Sequence, residues 1–260
     1  MTLRAIPSPL GHLAAVLALT LASPTPAAAH ETTLYPSSFR TEADAPLTLS
    51  LSSMATFPTF ETGPRPERVA RTVAWVGRRK ATLTVAAHTP TALGFTFASP
   101  HGGVAVLGVS LSPRDIDLEP DKVAEYFAEI DPPAAVRAAL PEGAALHETY
   151  TKYAKAIVCV APCPDGRAAA RVLGDALEFV PDRRLPRFQL IARGAPAAGV
   201  AVTVWSADRH VTVRTDAAGR FALPADTHGP TMLSATILRP PAAPGGRFAS
   251  DFATLTFDAR

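Results

Sequence analysis

Long apolar runs are almost absent from this sequence of 260 residues. The main one, at residues 13–22, is too short to cross a bilayer as a helix, and no later segment is long and apolar enough to do so. It follows a short basic segment containing Arg4 and precedes prolines and the three alanines at 27–29. This order is typical of a secretory signal peptide. We therefore predict a leader at residues 1–29, a periplasmic or secreted protein, and no membrane span in the mature chain.

An excess of charge of one sign is also missing. The chain has 25 Lys+Arg and 23 Asp+Glu, and Arg4 is the one charged residue of the predicted leader. Proteins that bind nucleic acids concentrate positive charge in order to neutralise phosphates. We therefore expect no nucleic-acid partner.

Cysteine is scarce, with Cys159 and Cys163 lying close together around an Ala-Pro dipeptide. Their spacing excludes a C-x-x-C redox motif, and a zinc site with two thiolates would need two further ligands that the neighbouring sequence does not supply. In an exported protein the oxidising environment favours a disulfide across a hairpin tip, although the sequence alone leaves the pairing open.

Local signatures of catalysis are missing as well. The sequence has no Gly-x-Ser-x-Gly elbow, no His-Glu-x-x-His helix and no glycine-rich phosphate loop. The turn His101-Gly102-Gly103 is similar to the oxyanion turn of lipases, but no nucleophile elbow accompanies it. We predict that the protein is not an enzyme.

Period-two alternation of apolar and polar residues is the dominant pattern that is present. It begins with Leu47, Leu49 and Leu51, which alternate with hydroxyl residues and predict a half-buried strand. Further strand-like runs, each bounded by glycine or proline, occur at 72–76, 81–87, 92–97, 104–111 and 150–160. Many short strands at close spacing predict an all-β sandwich or barrel.

One or two short helices interrupt these strands. Val123, Tyr126, Phe127 and Ile130 have the spacing of one helical face, and Pro120 suits the first turn of that helix. A second, shorter helix is predicted over 132–140, with Asp131 as its N-cap.

A proline-rich and charged segment at 181–187 separates these strands from a second series. We place a domain boundary there, with an N-terminal β-sandwich over 30–184 and a C-terminal domain over 185–260. The predicted fold class is all-β, with two immunoglobulin-like β-sandwich domains, the first carrying the inserted helices.

Several dispersed motifs resemble a family of periplasmic bacterial proteins, designated a domain of unknown function (DUF forty-one ninety-eight), whose members are often described as cobalt or nickel uptake components. The motifs lie at the predicted mature start, in the strand–helix segment and in the strand after it. They are Ala29-His30-Glu31 with Leu34 and Pro36, Val109-Ser110-Leu111 with Pro113 and Glu125-Tyr126-Phe127, and Glu148-x-Tyr150-x-Lys152-Tyr153-Ala154-Lys155-Ala156. The downstream motifs Gly199-Val200-x-Val202 and Thr215-Asp216-x-x-Gly219-x-Phe221 resemble carboxypeptidase-regulatory-like immunoglobulin modules. The resemblance implies a two-domain β fold and a role in metal uptake.

His30 is the first candidate metal ligand. If the leader is cleaved after Ala29, the free α-amine and the ring Nδ1 of His30 can chelate one metal ion, which no histidine inside the chain can do in this way. Both nitrogens, with ordinary pKa values near roughly 8 and 6.5, become donors once a metal competes with the proton. Nitrogen ligands of this kind suit Cu(II), Ni(II) and Zn(II), in an affinity order that favours copper. Together with the cobalt or nickel that the family resemblance implies, this predicts a divalent nickel, cobalt or copper ion.

A chelate of this kind leaves coordination positions open, and His88, His101 and His147 are candidates to fill them. For each of them a turn or surface histidine is the more common outcome, and spacing alone does not choose among the three. Four polar residues are candidates to surround the metal: Glu31, Glu148, Tyr150 and Lys152. Alternatively, the last three form an ordinary cross-strand network, because Glu148, Tyr150 and Lys152 share one face of a strand.

The function predicted from the sequence is therefore transition-metal binding by an exported carrier or uptake accessory that hands its ion to an envelope transporter or another membrane protein. A second hypothesis is a non-catalytic interaction or scaffold module of the envelope that binds no metal. A third, an oxidase built on histidine-coordinated copper, would use the same first ligand.

Overall fold

Strands dominate the computed structural model, which describes residues 31–163, 169–182, 186–207, 209–243 and 245–259. The predicted leader and His30 lie outside these residues. The strands of the first half are β1 (Glu31–Pro36), β2 (Arg40–Glu42), β3 (Leu47–Met54), β4 (Val69–Val76), β5 (Arg79–Ala81), β6 (Leu83–His88), β7 (Leu93–Phe97), β8 (Gly103–Leu111) and β9 (Arg114–Leu118). Those of the second half are β10 (Leu146–Ala161), β11 (Leu177–Pro181), β12 (Arg187–Ala192), β13 (Ala195–Pro196), β14 (Ala201–Ser206), β15 (Arg209–Arg214), β16 (Arg220–Ala222), β17 (Gly229–Arg239) and β18 (Phe248–Ala259). The helices are α1 (Pro120–Ile130) and α2 (Ala134–Arg137), and a 3₁₀ turn covers Pro66–Arg68.

These strands form three sheets. Sheet A has the order β1-β3-β7-β6, and sheet C contains β11, β12 and β13, with β16 pairing to β12. Sheet B is the largest and runs β15-β14-β17-β18-β10-β8-β4-β5, with β2 and β9 also pairing to β10. Strands from both halves of the chain therefore share sheet B.

The two faces of sheet B are covered by different sheets. Alternate residues of a strand point to opposite faces. On β10, Ala154, Ala156 and Val158 belong to the core under sheet A, whereas Tyr153 and Ile157 pack against the core under sheet C. The molecule is thus built as two sandwiches that have sheet B in common, and the predicted all-β sandwich class is confirmed.

Strand pairing crosses the predicted domain boundary near residue 184. Strand β10 pairs in parallel with β18 from Glu148↔Phe248 to Ala156↔Thr256, and β11 pairs antiparallel with β12. Residues 183–185 lie outside the part of the chain that the structure describes. The boundary remains a prediction, and the two parts it would separate are joined by backbone hydrogen bonds.

Helix α1 lies on the same face of sheet B as sheet A. The predicted stripe of Val123, Tyr126, Phe127 and Ile130 is buried, together with residues of β10, β17 and β18. The helix ends at Ile130, and the next residue, Asp131, caps it in a left-handed conformation with φ of 42°. The predicted N-cap role of Asp131 is therefore wrong: α2 is a four-residue helix that begins after Pro133 and is shorter than predicted.

Among the residues described, no helix has both the length and the apolar character needed to cross a membrane.

Candidate metal-binding site

Strand β1 places Glu31, the first described residue, against sheet B. Its pairing with β3 begins at Glu31↔Met54. In addition, Thr254 Oγ1 donates a hydrogen bond to Thr32 O at 2.7 Å, and Thr256 Oγ1 donates to Leu34 O at 2.5 Å. These buried hydrogen bonds fix the start of β1 relative to β18.

The carboxylate of Glu31 has one unsatisfied oxygen. Ser234 donates a hydrogen bond to the carboxylate, and Ser234 Oγ accepts one from Trp205 Nε1 at 2.9 Å. The Oε2 atom of Glu31 is buried and has no hydrogen-bond partner within the described ranges. Leaving a buried acceptor unsatisfied costs roughly 1–3 kcal/mol, so this atom calls for an explanation, such as a bound ion.

Glu31 and Lys152 form an electrostatic pair in this buried region. Burial raises the pKa of Glu31 to about 7, while the Ser234 hydrogen bond and the charge of Lys152 act in the opposite direction. Burial likewise lowers the pKa of Lys152 to about 8, opposed first by the charge of Glu31. Lys152 Nζ lies 5.3 Å from the ring centroid of Phe252 and 5.5 Å from that of Tyr150. At neutral pH each of the two charges is therefore easily lost.

Glu148 is a second buried carboxylate near Lys152. It is only 1 % exposed, and its Oε1 accepts hydrogen bonds from Tyr126 OH at 3.0 Å and from the Ser250 hydroxyl. Its Oε2 atom is buried without a hydrogen-bond partner among the residues described. Burial raises the pKa of Glu148 and is the largest cause of that shift. Hence three of the residues predicted to surround a metal, Glu31, Glu148 and Tyr150, lie around the fourth, Lys152.

A polar cleft of about 170 Å³ opens beside Glu31. Its floor is formed by β14, β15 and β17, and its wall by the last turn of α1, residues 128–131. Oxygen donors line it, among them the side chains of Glu31, Glu129, Thr203, Thr212 and Ser234. The start of the first strand thus borders a small space suited to a polar ligand.

Two of the predicted histidine ligands lie far from this cleft. His88 is exposed on β6, three strands away from β1 in sheet A, which corresponds to about 14 Å. His101 is exposed just before β8, whose Gly103 pairs with Val160. Val160 is eight residues along β10 from Lys152, or about 27 Å.

The third candidate, His147, neighbours Glu148 but points to the opposite face of β10. It is exposed, and its Nδ1 lies 2.8 Å from Asp117 Oδ1. The Arg247 guanidinium also contacts that oxygen at 2.7 Å. These bonds hold down the Asp117 pKa, first through His147 and then through Arg247.

The described part of the chain contains no group of three or more His, Cys, Asp or Glu residues arranged to hold a metal ion. The structure does not bring His88, His101 and His147 together with Glu31. The chelate predicted at His30 lies outside the described residues, so the contribution of His30 remains a prediction.

Cys159 and Cys163 are joined by a disulfide, with 5.6 Å between their Cα atoms. It closes the tip that follows β10, beyond Val160 and therefore at the far end of that strand from the cleft. Its position gives it a structural role separate from the candidate site.

Sequence reasoning missed several residues of the site. The sequence pattern places Tyr126 in the apolar helix stripe and in a family motif but not at the site, and it indicates no role for Ser234, Ser250 and Glu129. One signal was present: in β17 and β18, hydroxyl residues alternate with apolar residues, although both faces of these strands are covered. Such hydroxyls inside a buried strand indicate hydrogen bonds to another polar group.

The two sandwiches with a shared sheet define the chain as an all-β sandwich protein. A family model described as "Domain of unknown function (DUF4198)" matches residues 27–239, and the chain belongs to that family. The family that the sequence motifs suggested is thereby confirmed.

No curated protein matches the chain. Among solved structures, the chain is similar to the "D0-D1 domain of Intimin", with 12% sequence identity over 88% of this chain and 99% of that chain and a TM-score of 0.24. A likeness at this level carries no argument about function.

Proposed function

We propose that the protein is exported and, once its leader is removed, binds a divalent transition-metal ion through the α-amine and ring Nδ1 of His30, with the carboxylate of Glu31 beside them. It acts as a carrier or uptake accessory for nickel, cobalt or copper and not as an enzyme.

The observation that supports this proposal is the buried Oε2 atom of Glu31, which has no hydrogen-bond partner among the residues that the structure describes. Residue 30 is covalently joined to Glu31, and consecutive Cα atoms are only about 3.8 Å apart. The donors proposed at His30 therefore belong to the residue that directly precedes Glu31 in the chain. A cation bound by both residues would satisfy the carboxylate oxygen that has no hydrogen-bond partner among the described residues.

The electrostatics of the site fit a cation that competes with protons. Because burial raises the pKa of Glu31 to about 7, this carboxylate holds a proton for much of the time near neutral pH. A metal ion would displace that proton, as it would displace protons from the histidine nitrogens. Affinity should therefore rise with pH through the neutral range.

The exposed histidines have no part in this proposal. When one residue supplies two nitrogen ligands, other coordination positions of the ion stay open. Ligands of another protein can bind at these positions and take over the ion. An envelope transporter is the receiving partner that we propose.

The decisive experiment compares two forms of the protein by isothermal titration with Ni²⁺, Co²⁺, Zn²⁺ and Cu²⁺. One form begins at His30, as verified by mass measurement, and the other carries one additional alanine before His30. We expect the first form to bind one ion, and the extended form to bind it about 10- to 100-fold more weakly or not at all, which is the loss seen for changes around metal ligands.

His147→Gln in the form that begins at His30 is the control, because His147 is exposed and faces away from Glu31; its affinity should be unchanged. Equal binding by the extended form would overturn the chelate. Absence of binding by the form that begins at His30 would favour the scaffold hypothesis, and oxidation of a reductant by oxygen in the presence of copper would contradict the non-enzyme proposal.

A further inference from the structure

Strand β6 is an outermost strand of sheet A, far from the cleft beside Glu31. Within the described residues it pairs with β7 on one side, and its other side has no strand neighbour. Such an edge presents backbone N–H and C=O groups that can pair with a further strand. Five of the six residues of β6 are exposed, and the apolar side chain of Val85 leaves 39% of that residue accessible.

The segment that contains β6 carries no charge. Residues 81–113 include no Asp, Glu, Lys or Arg, although 18% of the whole chain is charged. For β7 and β8 this is expected, because both strands lie inside sheets. Burial does not explain it for β6, where Thr84, Val85, Ala86 and Ala87 are all exposed.

The other edges in the described part of the chain are built differently. Proteins commonly make the free edge of a sheet unfit for pairing by placing charged residues or proline on it. Each of the other strands at an edge has such a residue: Glu31 and Pro36 in β1, Arg40 and Glu42 in β2, Arg79 and Lys80 in β5, Arg114, Asp115 and Asp117 in β9, Glu178 and Pro181 in β11, Pro196 in β13, Arg209 and Arg214 in β15, and Arg220 in β16. Strand β6 lacks this protection.

A bulge interrupts the second half of β6. Val85 lies opposite Phe95 and His88 lies opposite Leu93, so that Ala86 and Ala87 together face Gly94. A bulge increases the local twist and is itself a means of protecting an edge. Residues 83–85 precede it and keep a regular register with β7, and the two alanines are small enough to let another backbone come close.

We propose that the protein forms a dimer in which the free edge of β6 pairs antiparallel with β6 of a second copy. A two-fold contact sets the same strand against itself, so any charge on that strand meets a like charge. Pairing of β5 or β15 in this way would bring arginine and lysine side chains together. Strand β6 is neutral apart from His88 at its end, and its own copy is therefore the partner that its chemistry fits.

The dimer should be weak and reversible. A single pair of short strands buries less surface than a stable interface does, and the contact is of the size found in transient complexes. It would join the two A sheets into one continuous sheet. Because β6 is remote from Glu31, dimer formation does not depend on the proposed metal site.

The test is sedimentation velocity of the exported form from about 1 to 500 µM, with a chelator present. Val85→Lys and Thr84→Lys place a charge on opposite faces of β6. We expect each to raise the dimer dissociation constant about tenfold or more, because two like charges then meet across the paired edge. Thr48→Lys is the matched control: Thr48 is exposed on β3, two strands away from the edge, and the change should have less than about a twofold effect.

Two further measurements accompany the sedimentation. Thermal melting verifies that the three variants are folded. Hydrogen exchange should show that the backbone of residues 83–88 becomes more protected as the concentration of wild type rises, since the free N–H groups of the edge gain partners.

Each contrary outcome overturns the proposal. A wild-type protein that stays monomeric over the whole range has no such contact. Unchanged association in both Val85→Lys and Thr84→Lys, or an equal loss in Thr48→Lys, shows that β6 is not the interface. Assemblies that grow beyond two copies contradict the two-fold pairing. None of these results bears on metal binding at the start of β1.

Discussion

Two lysine–glutamate pairs lie three residues apart on strand β10, and they are built in opposite ways. Lys155 faces sheet C, where its Nζ lies 2.6 Å from Glu178 Oε2 and 2.9 Å from Phe179 O. The carboxylate of Glu178 also accepts hydrogen bonds from the backbone N–H groups of Leu173 and Gly174, each at 2.9 Å. Both charged side chains are at most 3 % exposed, and both have well-placed partners.

Lys152 faces sheet A and the cleft, where the corresponding glutamate is Glu31. Within the described ranges, Glu31 Oε2 is buried without a hydrogen-bond partner, and burial shifts the pKa values of both residues towards neutrality. The two pairs differ in how completely their charged groups are bonded within the sandwich interface. A fully bonded pair fastens one layer to another, whereas a pair with an open oxygen has capacity for a ligand.

The largest effect should come from breaking the closed pair. Lys155→Met leaves the Glu178 carboxylate buried without its cation, which typically costs about 3–5 kcal/mol. Lys152→Met should cost only about 1 kcal/mol, because Glu31 can take up a proton and the methionine retains contact with the rings of Tyr150 and Phe252. Urea denaturation of both variants checks this order. Equal losses of the free energy of unfolding would show that the two lysine–glutamate pairs contribute equally to stability.

The pH dependence of stability should distinguish Glu31 from an ordinary glutamate. Burial raises its pKa from the ordinary 4.5 of a glutamate to about 7 in the folded protein, so the folded state keeps a proton that the unfolded chain loses between those pH values. The contribution of Glu31 to the free energy of unfolding therefore falls as pH rises through this window and is constant above it.

Glu31→Gln removes this contribution. The difference in the free energy of unfolding, variant minus wild type, should therefore increase as pH rises from 4.5 to 7. Urea denaturation at several pH values, with a chelator present to exclude metal, provides the measurement. A difference between variant and wild type that does not change with pH would contradict the shifted pKa.

A smaller effect is expected from the hydroxyl that holds β1 in place. Thr254→Val removes the hydrogen bond to Thr32 O and should lower the free energy of unfolding by about 1 kcal/mol. Thr84→Val, on the exposed side of β6, should change it by less than about 0.5 kcal/mol. Denaturation curves of the two variants compare them, and a loss at Thr84 as large as that at Thr254 would argue against a specific role for the buried hydroxyl.

The sandwich class and helix α1 could be predicted because they depend on local periodicity. Alternation at Leu47, Leu49 and Leu51 identifies a strand, and the stripe from Val123 to Ile130 identifies a helix, whatever the rest of the chain does. The parallel pairing of β10 with β18 could not be predicted in the same way. It joins segments about a hundred residues apart, and no local pattern records which strands become neighbours.

The candidate site was predictable only in part for the same reason. The polar face of Glu148, Tyr150 and Lys152 stands out in the sequence because alternation on one strand places its members together. Ser234 and Glu129 come from a different strand and a helix, and only the three-dimensional arrangement brings them to Glu31. The histidines show the converse. Their residue type is suited to bind a metal, but it does not indicate how far each lies from Glu31, and His88 and His101 lie far from the cleft.

The contact between β1 and β18 also bears on how the protein folds. Thr32 and Thr254 are separated by 222 positions, and β18 lies in the middle of sheet B between β17 and β10. Contacts of such high sequence separation form slowly, because a long loop must close before they contribute. Strand β1 can therefore reach its final contacts only once β18, the last strand of the chain, is available, and the cleft beside Glu31 is completed late in folding.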